Sequence, residues 1–105
     1  MDRLGYVYYG GKYAGELNEL EFGYQFSYDP AYIVSGEPIS FNFTFDKLIY
    51  NSAELFPYFE NLISEGWLKE VQCKTQHIDS RDSFGLLLEN GRDLVGAVTI
   101  LKERV

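Results

Sequence analysis

A chain of 105 residues with a formal net charge of -7 has the length of one domain, 1-105, and needs no disulfide or metal to hold a core. Its nine basic residues are scattered among sixteen acidic ones, which excludes direct nucleic-acid binding, because phosphate neutralisation needs clustered Lys and Arg. The same acidity suits a basic protein partner.

Residues 3 to 9 are rich in β-formers and lead to Gly10-Gly11, a dipeptide that supplies the positive φ of a tight hairpin. Lys12 to Leu17 reads as the return strand. From Glu21 to Tyr28, the residues Phe22, Tyr24, Phe26 and Tyr28 alternate with Glu21, Gly23, Gln25 and Ser27, the pattern of a third, half-buried strand. Asp29-Pro30 ends it and predicts a short helical turn through Ala31, Tyr32 and Ile33, with Asp29 as cap. Ile39, Phe41, Phe43 and Phe45 then alternate with Ser40, Asn42 and Thr44. This is the clearest strand pattern in the chain and predicts four apolar side chains in the core. Asp46 to Asn51 reads as a connector.

Leu55, Phe59, Leu62 and Ile63 form one stripe of a helix expected over about 53-64. Pro57 kinks that helix or pushes its start to Phe56, or is itself the first helical residue, with 52-56 as a turn. A second helix is expected from Trp67 to about Gln76, with Leu68, Val71 and Gln72 facing inward. A third is expected over 81-89, capped by Asp79 or Ser80 and stopped by Asn90-Gly91. The apolar run Leu94 to Leu101 predicts a strand interior to the sheet. The expected class is α+β: a mostly antiparallel, barrel-like sheet of about five strands with about three helices.

Templates for catalysis do not fit. His77 lies four residues after Cys73, but one Cys and one His make neither a zinc site nor a persuasive nucleophile pair. Phosphate-binding glycine motifs are absent, and the carboxylate pairs are those an acidic chain carries by chance. No catalytic residue, metal ligand or cofactor site is therefore expected. The chain has no apolar run of about 18 residues, and its N-terminus lacks the features of a signal peptide. With a lone Cys73, the expectation is a cytoplasmic protein. Trp67, the single tryptophan, stands among Ser64, Glu65, Lys69 and Glu70, a polar setting that predicts either an exposed anchor or a ring folded onto Leu62, Ile63 and Leu68. Trp is the residue most enriched among interface hot spots.

Seven stretches, in order, resemble the N-terminal subdomain of HipA-type kinases: Lys12-Tyr-Ala-Gly-Glu-Leu, Phe26-Ser-Tyr-Asp-Pro-Ala-Tyr, Pro38-Ile-Ser, Leu55-Phe-Pro-Tyr-Phe-Glu-Asn-Leu, Glu65-Gly-Trp, Asp82-Ser-Phe-Gly-Leu-Leu and Gly91-Arg-Asp-Leu-Val-Gly-Ala-Val. The family's Leu-Pro steps are replaced here by Phe41-Asn-Phe-Thr-Phe and Ile63-Ser-Glu-Gly. The chain ends about where a full-length kinase would continue into its ATP-binding and catalytic regions. A free-standing subdomain of this kind is similar to the HipS-like antitoxins of three-gene HipBST toxin-antitoxin systems. That resemblance implies binding in trans to a HipT-type kinase toxin, in a complex with a HipB-type helix-turn-helix protein, and no enzymatic activity. The contact residues expected from it are Ser64, Glu65, Gly66, Trp67 and Leu68, with the Glu65-Gly66-Trp67 tip obstructing the kinase active site. The alternative is a non-inhibitory subunit that completes the kinase or bridges it to the HipB-type protein.

Overall fold

A computed structural model describes residues 3-63, 66-92, 94 and 96-104, with the backbone alone at positions 66 and 67. Five strands, β1 (Leu4–Tyr9), β2 (Lys12–Leu20), β3 (Gly23–Tyr28), β4 (Ile49–Ser52) and β5 (Val98–Leu101), form one antiparallel sheet in the order β4-β3-β2-β1-β5. Among the described residues four helices accompany it: α1 (Pro30–Ser35), α2 (Pro57–Glu60), α3 (Gly66–Gln76) and α4 (Ser83–Glu89). The α+β class, the antiparallel pairing and the five strands agree with expectation. The sheet is an open ladder with β4 and β5 at its edges.

Gly10 and Gly11 take φ of +58° and +82°, so the β1–β2 turn uses the backbone region that only glycine enters without cost. Val7 faces Gly15 but Tyr8 faces Tyr13, which leaves Ala14 as the extra residue of a bulge. One sheet face carries Val7, Leu17, Phe26, Tyr28, Val98 and Ile100, all buried, and α2 and α4 add Phe59, Phe84, Leu86 and Leu87 to the same core. Phe26 anchors it, with ring centroids 4.9 Å from Phe43 and 5.7 Å from Phe59.

The segment 39-45 is not a strand. Ile39 and Phe43 are buried and Phe45 packs against the core, but Phe41 is 100% exposed, so the expected alternation breaks at residue 41. Ser40 is the cause: its carbonyl accepts the Phe43 N–H at 3.1 Å and its hydroxyl accepts the Asn42 N–H at 3.2 Å, folding the chain into a local turn. The buried Tyr28 hydroxyl takes the place of a neighbouring strand, accepting the Ile39 N–H at 3.0 Å and donating to the Phe43 carbonyl.

The fourth strand lies instead within the expected connector, as β4, where Tyr50 pairs with Phe26 and Ser52 with Tyr24. The helix expected from residue 53 begins at Pro57, the last of the arrangements that proline allows, and continues past Glu60 as turns through Ile63. Helix α1 starts at Pro30 as expected, but the Asp29 side chain makes no cap bond; its carbonyl accepts the Tyr32 N–H. Helix α4 is capped by Asp82, which accepts the Gly85 N–H, and not by Asp79 or Ser80. The last strand, β5, is an edge strand and not an interior one. Its apolar run reflects burial on the core face and a covered edge: the Ile100 N–H donates to the Gly91 carbonyl. A Cβ at Gly91 would lie 1.7 Å from the Ile100 carbonyl oxygen, so this approach requires glycine.

Candidate partner-binding surface

The expected contact residues follow α2 in the sequence and extend into the first turn of α3. Helix α2 is short because Pro57 starts it and Asn61 already closes it with bonds to Pro57 and Phe59 carbonyls. Its hold on the core comes from Phe59, fully buried, and from Ile63 just beyond. Glu60 adds a polar tie, accepting from the Ser83 hydroxyl at 3.0 Å.

Helix α3 meets the rest of the fold chiefly through α4. Gln76 and Asn90 exchange amide hydrogen bonds at 2.8 and 3.0 Å. The Ile78 N–H donates back to the Cys73 carbonyl while His77 takes φ +57°, a left-handed cap that ends the helix. Cys73 and Ile78 both pack against the core, the apolar pair that accompanies such a cap.

The end of the sheet nearest α2 is held by a charged clamp. Arg3 donates to both carboxylate oxygens of Glu19 (2.7 and 2.8 Å) and to both of Asp82 (2.7 and 2.9 Å). Its guanidinium lies 5.3 Å above the Phe84 ring, on which Tyr24 stacks. Bidentate geometry of this kind is the strong form of the Arg–carboxylate contact. The hydrogen bonds from Arg3 hold the Asp82 carboxyl below its usual range, and the Glu19 and Asp82 carboxylates raise Arg3 above its own. Asp82 therefore both caps α4 and ties it to β1 and β2. The clamp was not visible in the sequence, since its partners lie 16 and 79 positions from Arg3; the one local signal was Asp82 at a cap position before Ser83-Phe84-Gly85.

Of the five expected contact residues, Leu68 is described in full: it sits on the first turn of α3 and is 49% exposed, contrary to the expected inward face. Gly66 and Trp67 open α3 by their backbone. Ser64 and Glu65, and the side chains of residues 66 and 67, lie outside the described residues. The structure does not assemble Cys73 and His77 into a site. Cys73 faces the core while His77 is exposed, and no group of three metal-ligating side chains occurs among the described residues. No described helix is long and apolar enough to cross a membrane.

Residues 5–101 match the family described as the HipA N-terminal domain. The chain belongs to that family. Among solved structures, one described as the N-terminal domain of HipA toxin superposes with a TM-score of 0.78 at 39% identity, covering 97% of this chain and 93% of that one. An uncharacterized protein of Haemophilus influenzae is 42% identical over 102 residues, 97% of this chain and 94% of its own length. The HipA N-terminal domain structure and this chain share the overall fold.

Proposed function

We propose that this HipA N-terminal domain acts in the cytoplasm as a HipS-like antitoxin of a toxin-antitoxin system, binding a HipT-type serine/threonine kinase in trans and neutralising it by protein-protein contact. The observation that carries the reading is coverage. The domain is matched nearly end to end by the N-terminal domain of HipA toxin, and the Haemophilus influenzae relative is scarcely longer than the domain itself. In this reading the domain meets a kinase carried on a separate chain, through a surface suited to that contact. Ser64, Glu65, Gly66, Trp67 and Leu68 form the contact, and the Glu65-Gly66-Trp67 tip obstructs the kinase active site. Half-exposed Leu68, one residue beyond the tryptophan, supports an apolar contact at the start of α3. A HipB-type helix-turn-helix protein completes a ternary complex.

The test is co-expression with the kinase. The wild-type domain restores growth, and Trp67→Ala, which costs about 2 kcal/mol or more of binding, leaves the kinase toxic. A folded Trp67→Ala protein that still neutralises the kinase would remove the tip from the contact and leave the antitoxin assignment. A kinase that neither binds the wild-type domain nor is silenced by it removes the assignment itself.

A further inference from the structure

At the β2–β3 turn, Phe22 is 88% exposed and Leu20 is partly so. Turn tips are ordinarily polar, and a ring this open adds nothing to the core. The turn is nonetheless pinned: a Cβ at Gly23 would lie 2.4 Å from the Ser52 carbonyl oxygen, so β4 backs the turn closely. A shallow depression lined by Leu20, Glu21, Phe22, Tyr24 and Ala53 runs across it. Glu21, Glu54 and Glu60 are exposed, while Arg3 at this end is already committed to Glu19 and Asp82. The result is an apolar tip with a carboxylate rim.

This tip lies at the same end of the sheet as the exit of α2. Glu60 is bonded to Ser83, the neighbour of Asp82, and Asp82 is clamped through Arg3 to Glu19, one residue from Leu20. We propose that Phe22 and Leu20 form a second anchor of the kinase contact, seated in an apolar site that the kinase rims with Lys or Arg. The proposal rests on the antitoxin reading and adds where, besides Ser64 to Leu68, the domain is gripped. Charge favours this occupant over others: a second copy would set like carboxylates against each other, and an anionic membrane would repel them.

The experiment measures kinase affinity and association rate by surface plasmon resonance at two salt concentrations, for wild type, Phe22→Ser, Glu21→Lys/Glu54→Lys and Trp67→Ala. Phe22→Ser should weaken binding by about tenfold or more, with an unchanged melting curve because the ring is not in the core. The double charge reversal should slow association several-fold at low salt and flatten its salt dependence. If Phe22→Ser binds within about twofold of wild type, a change near 0.4 kcal/mol, the second anchor is overturned while a loss in Trp67→Ala keeps the antitoxin reading. If the wild-type domain does not bind the kinase, both fall. Concentration-dependent self-association in the ultracentrifuge, abolished by Phe22→Ser without change in kinase affinity, would assign the tip to a second copy and overturn the proposal.

Discussion

The segment 39-45 has no regular secondary structure yet buries Ile39 and Phe43, whereas α3 is eleven residues of regular helix with Leu68 half-exposed. The difference follows from where each stretch finds its hydrogen bonds. Helix α3 satisfies most of its backbone internally, and among the described residues it rests on α4 through the Gln76–Asn90 amide pair and on the core through Cys73. The irregular segment must borrow partners, from Ser40 within it and from the Tyr28 hydroxyl below it, and those partners exist only in the folded core. Regularity and attachment are therefore separate properties here. The irregular stretch is the one built into the interior, and the regular one is attached through Cys73 and the Gln76–Asn90 pair.

Truncation of Phe43 tests the first half of this contrast most severely. Its ring lies 4.9 to 5.6 Å from those of Phe26, Phe56, Phe59 and Tyr50, so Phe43→Ala should cost about 3–5 kcal/mol by removing contacts from a site that cannot collapse. Phe41→Ala, two residues away and fully exposed, should change stability by less than about 0.5 kcal/mol. Equilibrium urea unfolding of both separates them. Equal effects would mean that the segment is held by something other than its alternate burial.

Tyr28→Phe isolates the borrowed hydrogen bonds. It keeps the ring and strands the Ile39 N–H and the Phe43 carbonyl, at a cost of about 1–3 kcal/mol. The same hydroxyl has its pKa pushed up to about 12 by burial. An unfolded tyrosine ionises near pH 10, so above about that value the unfolded chain releases a proton that the native state retains. Stability should fall between roughly pH 10 and 12, and the Tyr28 part of that fall should vanish in Tyr28→Phe.

The Arg3 clamp gives a smaller effect of opposite sign in pH. Arg3→Ala should lose about 1–2 kcal/mol, reduced from the buried-pair value because over a third of the Arg3 side chain meets water. Asp82 is depressed by its bonds from Arg3. Its contribution is therefore complete above the unfolded carboxylate value near 4 and disappears as pH falls through the lower native value. Acid unfolding followed by fluorescence should shift to higher pH in Arg3→Ala. Asp82→Asn should blunt the acid dependence while lowering stability at neutral pH.

These elements also mark how far the sequence could be read. The hairpin over Gly10-Gly11, the alternation through Phe26 and Tyr28 and the stripe around Phe59 were legible because local spacing and burial coincide there. The alternation of 39-45 misled because Ser40 and Asn42, taken as the wet face of a strand, close a turn instead. Strand β4 was invisible because only four residues long and at the sheet edge, with Ile49 and Asn51 exposed, it carries almost no pattern. The run 94-101 misplaced its strand because an edge covered by Gly91 reads like an interior position. At the candidate surface, the start of α3 at Gly66-Trp67 was legible from the Glu-Gly-Trp step, but outward Leu68 was not, since its apolar side chain was assigned to the core. The Arg3 clamp and the Phe22 tip depend on chain ends and turns that only the fold brings together.

The lightest perturbation addresses α3 itself. Gln76→Ala removes both bonds of the Gln76–Asn90 pair but leaves the Asn90 amide donating to the Leu86 carbonyl, so α4 keeps its C-terminal tie. The global cost should be within about 1 kcal/mol, with little change in the urea midpoint. Local opening is the sensitive measure: amide exchange along residues 69-76 should accelerate several-fold, while protection of Val7, Leu17 and Phe26 in the sheet stays as in wild type. If the sheet amides accelerate in step with α3, the helix unfolds only with the core and is no separable arm. If α3 alone accelerates, the attachment is confined to that pair and its apolar neighbours, and kinase binding by Gln76→Ala then reports whether a firmly seated α3 is needed to present the residues at its start.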